Sequence, residues 1–197
     1  MQRVKRLLPL LACLILMLSL NACLSFHRQA VFFPEDQRLI MEGVIDSYTP
    51  KRLAEVLERN PQITTIVLLD VEGSVDDEAN FVAARLVREK GLATHVPANG
   101  VIASGGTDFF LAGVKRTIEP GAQIGVHSWA EGFGKAELQG GDLAKDHPDH
   151  QIYLEYYRDM NIPESFYWFT LEAAPAEGMH WMSREEMEQY GFLTEKP

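Results

Sequence analysis

Cysteine is nearly absent from this chain, whose 197 residues include only Cys13 and Cys23. Cys13 lies in an apolar segment near the N-terminus that we expect to be removed, so the mature chain would keep one cysteine. A single cysteine excludes an internal disulfide, even in an oxidising compartment. The fold must therefore be stabilised by its core.

Positive charge is also scarce, with 18 lysines and arginines against 28 acidic residues and a formal net charge of -10. An acidic chain is a poor partner for nucleic acid and for anionic lipid surfaces. The sequence also lacks internal repeats, low-complexity tracts and any second-domain boundary. Its length is that of one domain with a proper core.

The N-terminus has the pattern of an export signal. Arg3, Lys5 and Arg6 precede the apolar run 7–20, which is too short and wrongly flanked for a stable membrane span. The run ends in Leu20-Asn21-Ala22-Cys23, which resembles the processing box of bacterial lipoproteins. The alternative is an ordinary signal peptide with a chance cysteine.

That resemblance implies cleavage before Cys23 and a lipid on its sulfur, which would anchor the protein to a membrane of the bacterial cell envelope, on the periplasmic side. Leu24 follows the cysteine, where an aspartate would indicate retention in the inner membrane, so the outer membrane is favoured. We predict a signal peptide over 1–22, a tether over 23–37 and one folded domain over 38–197.

Strand and helix patterns alternate along the first half of the domain, which predicts an α/β fold with right-handed crossovers. The apolar run 63–69 is typical of a strand buried on both faces of a parallel sheet. The predicted elements are a strand over 38–45, a helix from Thr49 (as cap) to Asn60, a strand over 63–69, and a helix over 76–90 closed by Gly91.

The segment 99–129 carries the strongest functional signal. A short apolar run ends at Ser104, and Gly105-Gly106 begins a helix, which would leave the serine hydroxyl exposed on a sharp strand-to-helix turn. Unpaired N–H groups at the helix start can stabilise an oxyanion. His127 ends the next predicted strand and could act as the base. Taken alone, a serine before a helix is usually a cap, and a histidine at a strand end is more often a core or rim residue, so the hypothesis rests on the two together.

Four motifs in this segment resemble, in order, the proteolytic subunit of the Clp protease. They are Ala103-Ser104-Gly105-Gly106, Leu111-Ala112-Gly113, Lys115-Arg116 and Ile124-Gly125-Val126-His127. The resemblance implies a Clp-protease/crotonase fold of stacked βαβ units. It also implies that Ser104 is the nucleophile, that His127 is the base, and that the Gly105 N–H helps to bind the oxyanion.

Two positions depart from that family. Asp70-Val71-Glu72-Gly73-Ser74 stands where the family has Asn-Ser-Pro-Gly-Gly, so Ser74 takes the place of the glycine whose N–H completes the oxyanion hole. The family's catalytic aspartate falls on Met179, and Glu177 is the possible third acid nearby. A Ser–His pair can still work without its acid, only more slowly.

The segment 128–148 is rich in glycine and charge, and long irregular connections are usually functional or mobile. In the resembling family this region covers the substrate and mediates ring assembly. Asp142, Asp146, His147, Asp149 and His150 do not have the spacing of a zinc or calcium site, so we predict no metal. No cofactor is predicted either.

Aromatic residues mark the predicted helix over 151–160, which a second helix over 163–173 follows. Aromatics at this spacing belong to a core or an interface. We therefore also consider a homo-oligomer assembled through this region. Near the C-terminus, Ser183 and Glu186 have the spacing of a capping box.

The sequence thus predicts a lipid-anchored serine hydrolase of the cell envelope, a peptidase acting on peptides or unstructured protein segments. No ATP-binding loop is present, so an unfoldase would be a separate protein. The alternative is a non-catalytic protein that uses the same fold as a binding or assembly module. Acyl-CoA chemistry of the crotonase type is disfavoured, because CoA esters reside in the cytoplasm.

Overall fold

The computed structural model describes residues 28–132 and 138–194. The predicted signal peptide and Cys23 lie outside these residues. Within the described ranges, no helix has the length and apolar character needed to cross a bilayer.

The described chain alternates strands and helices. The strands are β1 (Val31–Glu35), β2 (Arg38–Glu42), β3 (Thr65–Val71), β4 (Ala93–Val96), β5 (Val101–Ala103), β6 (Arg116–Ile118), β7 (Gln123–Val126), β8 (Ala130–Glu131), β9 (Leu138–Gln139) and β10 (His180–Trp181). The helices are α1 (Thr49–Arg59), α2 (Asp77–Glu89), α3 (Gly105–Leu111), α4 (Gln151–Asp159), α5 (Glu164–Ala173) and α6 (Arg184–Gln189).

The main sheet branches at β3. The first half of this strand pairs with β4 and its last two residues pair with β5, all in parallel. One branch continues from β4 to β6, and the other runs from β5 through β7 to the antiparallel strand β10. The α/β architecture expected from the sequence is therefore observed.

The N-terminal boundary of the folded part differs from the prediction. The tether expected over 23–37 includes β1, which forms an antiparallel hairpin with β2. Asp36 takes a positive φ of 51° in the tight turn between them, and Ala30 is fully buried. The apolar residues of β1 pair with β2, so the folded domain begins before residue 38.

Two predicted boundaries also shift. Thr49 is the first residue of α1 rather than its cap, because its hydroxyl accepts a hydrogen bond from the Asp46 N–H while Tyr48 takes the cap position. The strand expected over 63–69 begins and ends two residues later, as β3. Asp76 caps α2 through the Ala79 N–H, one residue before the helix begins. The capping box of Ser183 and Glu186 on α6 is present, as predicted.

The aromatic helix α4 belongs to the core. Tyr156 and Tyr157 are buried, and the Tyr156 ring stacks on Phe81 of α2 with 4.3 Å between centroids. Tyr157 contacts Phe166 of α5 edge to face. These rings pack within the chain, so the aromatic pattern of this helix contributes to the core; the homo-oligomer stays a prediction.

Candidate active site

Three parallel strands end at the same edge of the sheet and bring the predicted site together. Ala103 of β5 pairs with Gly125 of β7, and Val71 at the end of β3 pairs with Ile102. The residues that follow these ends are Ser74, Ser104 and His127. Ligands of α/β sheets bind at such carboxyl ends.

Ser104 sits on a strained turn. Its φ of 51° and ψ of -128° are unusual for any residue other than glycine, and its side chain makes no capping hydrogen bond to α3. The Ser104 N–H donates to the Gly125 carbonyl at 3.0 Å, which fixes the turn to β7. The simple capping role is therefore not what this serine performs, and its conformation is that expected of a nucleophile elbow.

The two glycines after Ser104 are required by close packing. A Cβ on Gly106 would collide with the carbonyl oxygen of Val71, and one on Gly105 would lie 2.6 Å from the Cβ of Ser74. The buried Asn80 side chain on α2 donates to the Gly105 carbonyl at 2.8 Å. The start of α3 is thus pressed against the end of β3 and the loop that follows it.

This contact places the two predicted oxyanion donors side by side. The Ser74 N atom lies 2.9 Å from the position of a Cβ on Gly105. Neither the Ser74 nor the Gly105 N–H donates any of the loop or cap hydrogen bonds in the described chain. Ser74 is not among the described residues with positive φ, so the serine fits this position without the strain that would demand glycine.

His127 and Ser104 line the same small cavity, of about 30 Å³. The Nδ1 atom of His127 is buried and has no hydrogen-bond partner among the described residues. No hydrogen bond joins the His127 ring to the Ser104 hydroxyl in that part of the chain. The two side chains therefore share a cavity but are not hydrogen-bonded to each other. Catalytic hydrogen bonds are often long or unformed before substrate binds.

The position of the family's aspartate is filled by an apolar side chain. Met179 packs on Gly125, two residues before His127, with its Cγ 3.0 Å from the position of a Cβ there. Glu177 points elsewhere, since both its carboxylate oxygens lie 3.4 Å from the Gln139 side-chain nitrogen, and it does not line the Ser104 cavity.

Two carboxyl groups that the sequence analysis did not single out line the Ser104 cavity. Asp77, in the first turn of α2, accepts hydrogen bonds from the hydroxyls of Ser74 and Tyr153, the latter at 2.7 Å. Asp108, one turn along α3 from Ser104, accepts from the Tyr157 hydroxyl at 2.6 Å. Burial and repulsion from Asp77 raise the pKa of Asp108 to about 7, although the Tyr157 hydrogen bond opposes this.

Aromatic rings form the far wall of the cavity. Tyr153 stacks on Trp129 and on Tyr167 with nearly parallel rings, whose centroids are 5.5 and 5.4 Å from its own. The Trp129 N–H donates to the Tyr167 hydroxyl at 2.9 Å. Burial raises the pKa of Tyr167 to about 12 and those of Tyr153 and Tyr157 further, so all three phenols stay neutral donors.

The acidic and histidine-rich segment 142–150 serves the scaffold. The buried His150 contacts the Tyr167 hydroxyl at 2.5 Å and the Ala144 carbonyl at 3.1 Å through its two ring nitrogens. Among the described residues, no group of three or more histidine, cysteine or acidic side chains is arranged to hold a metal ion.

One of the unpredicted carboxyl groups had a signal in the sequence. Asp108 follows Ser104 by four residues, a spacing that puts both on the same face of a helix. No sequence pattern indicated Asp77 or the aromatic rings of Trp129, Tyr153 and Tyr167. These side chains come from separate parts of the chain and meet at the cavity only after it folds.

The comparisons with known proteins concern the fold. No protein-family profile matches this sequence, and no curated protein matches it either. Two solved structures of a 1510-N membrane-bound stomatin-specific protease are similar, one a lysine-to-alanine variant with a substrate peptide and one a serine-to-alanine variant. Each is 16% identical, with a TM-score of 0.51, over 77% of this chain and 71% or 75% of the other.

A further similar structure is an enoyl-CoA hydratase from Polaromonas sp. JS666, 13% identical with a TM-score of 0.48 over 84% of this chain and 69% of the other. The likeness to the two stomatin-specific protease structures confirms the predicted Clp-protease/crotonase-like fold. At these identities the likeness says nothing about which residues act.

Proposed function

We propose that this protein is a serine peptidase, anchored in the bacterial cell envelope by a lipid on Cys23, with Ser104 as nucleophile and His127 as base. The observation that carries the proposal is the strained turn at Ser104, whose uncapped side chain shares one cavity with His127. A serine used only as a helix cap would have no need of a positive φ. The likeness in fold to a serine protease is consistent with this function.

The chemistry follows from these positions. His127 would take the hydroxyl proton as Ser104 attacks the scissile carbonyl carbon, and the N–H groups of Ser74 and Gly105 would hold the resulting oxyanion. Collapse of this intermediate releases the amine with the proton from His127 and leaves an acyl ester on Ser104. Water, deprotonated by the same histidine, then hydrolyses the ester and restores the hydroxyl.

Peptides or unstructured protein segments are the proposed substrates. The membrane anchor follows from the pattern at residues 20–23, and the absence of an aspartate after Cys23 favours the outer membrane. The acidic charge of the chain disfavours nucleic acid as a partner.

A second candidate function is a non-catalytic binding or assembly module. Met179 favours it, because this apolar side chain lies where the resembling family orients its histidine with an acid. Among the described residues, the buried Nδ1 atom of His127 has no hydrogen-bond partner. A protein that no longer needs the histidine charge could tolerate this arrangement.

Labelling with a fluorophosphonate probe separates the two candidates. The full-length protein should be labelled, and Ser104→Ala and His127→Ala should both lose the label, because a serine hydroxyl needs a base to become nucleophilic. His147→Ala is the matched control, since this partly exposed histidine pairs with Asp149 and does not line the Ser104 cavity. Labelling of the folded wild-type protein no stronger than that of Ser104→Ala would favour the module instead.

A further inference from the structure

Two carboxyl groups, those of Asp77 and Asp108, line the cavity beside Ser104, and among the described residues no lysine or arginine lines it. Because burial raises the pKa of Asp108 to about 7, the pair carries less than two full negative charges at neutral pH, and a cation that enters the cavity would favour the ionised form. The donors to these carboxyl groups are neutral hydroxyls of serine and tyrosine. Of the lining residues only His127 can become positive, and a catalytic base must begin the reaction neutral.

The guanidinium groups nearby are engaged elsewhere. Arg88 on α2 donates to the carbonyls of Leu111 and Met160, beyond the C-terminal end of α3. Arg85 pairs with Asp159 at the surface. A carboxylate removed from water is costly unless a positive charge or several donors accompany it. The cavity is therefore complementary to a cation that comes from outside the chain.

We propose that this cavity binds a primary ammonium group of the peptide substrate, held by Asp108 and Asp77 next to the nucleophile. The proposal rests on the peptidase function given above and names its specificity. Asp108 lies one helical turn from Ser104, about 6 Å along the axis, so the ammonium group would belong to a residue close to the scissile bond.

The size of the cavity selects the kind of cation. Its volume of about 30 Å³ holds one or two water molecules, and an ammonium head is of similar size. A planar guanidinium or a trimethylated ammonium is larger. Carboxylate oxygens and N–H donors are the matching chemistry.

An acidic cleft of about 550 Å³ adjoins the cavity and shares Asp77, Trp129 and Tyr153 with it. Ser74 also lines this cleft, so a chain lying in it reaches the proposed oxyanion hole. Among the described residues, none that lines the cleft is basic, and its carboxyl groups belong to Asp76, Asp77, Glu78, Glu131 and Asp149. Their field would attract a basic peptide.

The test measures binding separately from hydrolysis. The Ser104→Ala variant of the full-length protein is titrated with two capped tetrapeptides, acetylated and amidated, that differ only in one lysine or norleucine. Loss of one charge-assisted hydrogen bond weakens binding by about tenfold to a hundredfold, so the norleucine peptide should bind at least about tenfold more weakly. Arginine and trimethyllysine peptides should also bind more weakly, because they are too large.

The source of the ammonium group is distinguished by a third peptide, which has norleucine and a free N-terminus. Tight binding of this peptide would assign the cavity to the substrate's terminal amine rather than to a lysine side chain. Asp108→Asn should abolish the preference for ammonium while keeping the acceptor for Tyr157. Glu89→Gln, an exposed change elsewhere on α2, is the matched control and should keep the preference.

Equal binding of the lysine and norleucine peptides, or no binding of any peptide at millimolar concentration, would overturn the proposal. Ammonium-selective binding by a protein that fluorophosphonate does not label would leave the cation site in place and refute the peptidase. Fluorophosphonate labelling of a protein that shows no preference for ammonium peptides would support the peptidase and refute the cation site.

Discussion

Met179 packs on Gly125 at the place where the resembling family brings an acid to its histidine, and the Met179 sulfur lies 2.5 Å from where a Cβ of Gly125 would be. The strand that carries Gly125 leads directly to His127. Any catalytic pair here is therefore formed without an acid from this position.

The third acid can be tested by two substitutions. Glu177→Ala should leave fluorophosphonate labelling within about twofold of wild type, because this carboxylate contacts Gln139 at the surface rather than the cavity. Met179→Asp should speed labelling by at least about tenfold, since an orienting carboxylate can contribute up to about four orders of magnitude. A large loss in Glu177→Ala would show instead that Glu177 reaches His127.

Gly105→Ala should disable the site through the backbone. The added Cβ collides with Ser74, so the two proposed oxyanion donors must move apart, and labelling should fall by about a hundredfold. Overpacking of this kind also costs about 1–3 kcal/mol of stability, measurable by urea unfolding. Gly178→Ala is the control, because its nearest neighbour is 3.3 Å from the new Cβ. Unchanged labelling of Gly105→Ala would exclude this oxyanion hole.

Stability should fall with rising pH because of Asp108. Its pKa is raised to about 7 in the folded chain, above the ordinary value of 3.8, so the unfolded chain releases this proton first. The folded state is thus penalised progressively as the pH rises from about 4 to 7, and the penalty is complete above pH 7. Asp108→Asn should raise the free energy of unfolding at pH 8 by about 2–4 kcal/mol, with little change at pH 4.

The groups that face Asp108 are Asp77 on α2, the tyrosines of α4, Tyr167 on α5 and His127 after β7. The tyrosines have raised pKa values and stay neutral over this range. Histidine titrates between pH 5 and 8 in general, so the comparison should be repeated in a His127→Ala background. If Asp108→Asn raised the free energy of unfolding equally at pH 4 and pH 8, the pH dependence would not come from Asp108.

Arg116 should be a major contributor to stability. Its buried guanidinium donates to carbonyl groups at the ends of α3 and α6, those of Leu111, Gly113, Gly191 and Phe192. Burial lowers the pKa of Arg116 to about 10, so it remains charged at neutral pH. Arg116→Met would remove the side-chain donor from the carbonyls of Gly113, Gly191 and Phe192, while Leu111 keeps its bond from Arg88, and it should cost about 3–5 kcal/mol in urea unfolding.

Arg59→Met is the matched control for Arg116, because Arg59 forms only an exposed pair with Glu55. It should cost less than about 1 kcal/mol. Equal losses in the two variants would mean that the buried hydrogen bonds of Arg116 add nothing.

The proposed lipid anchor is tested at Cys23. Cys23→Ser should leave an unprocessed or soluble species in the cell envelope, since no sulfur is then available for the lipid. Membrane fractionation and the mass of the mature N-terminus are the measurements. Processing and fractionation identical to wild type would remove the anchor from the proposal.

The sequence predicted those features that depend on local chemistry. The turn at Ser104 before two glycines and the capping box at Ser183 are set by a few neighbouring residues, and both occupy the expected places. Apolar runs likewise located four of the strands, β2, β3, β5 and β7. The tether was misjudged because β1 is stabilised by its partner β2 and by a turn at Asp36, which composition alone does not indicate.

The parts of the site that were missed depend on contacts between distant residues. Asp77 meets Tyr153 across 76 positions of sequence, and Trp129 meets Tyr167 across 38. No pattern within one element specifies such pairs, since they arise from the way α2, α4 and α5 pack around α3. For the same reason, the sequence could place Glu177 near Met179 but could not reveal its bond to Gln139.

The stack of Trp129, Tyr153 and Tyr167 gives the molecule an internal optical reporter. Rings held nearly parallel at about 5.5 Å couple their electronic transitions, so Trp129 should contribute strongly to the circular dichroism in the near ultraviolet. Because all three rings also line the cavity beside Ser104, a molecule that enters there shifts the stack and changes the spectrum. Occupancy can thus be followed without any added dye, even for a ligand that is never cleaved.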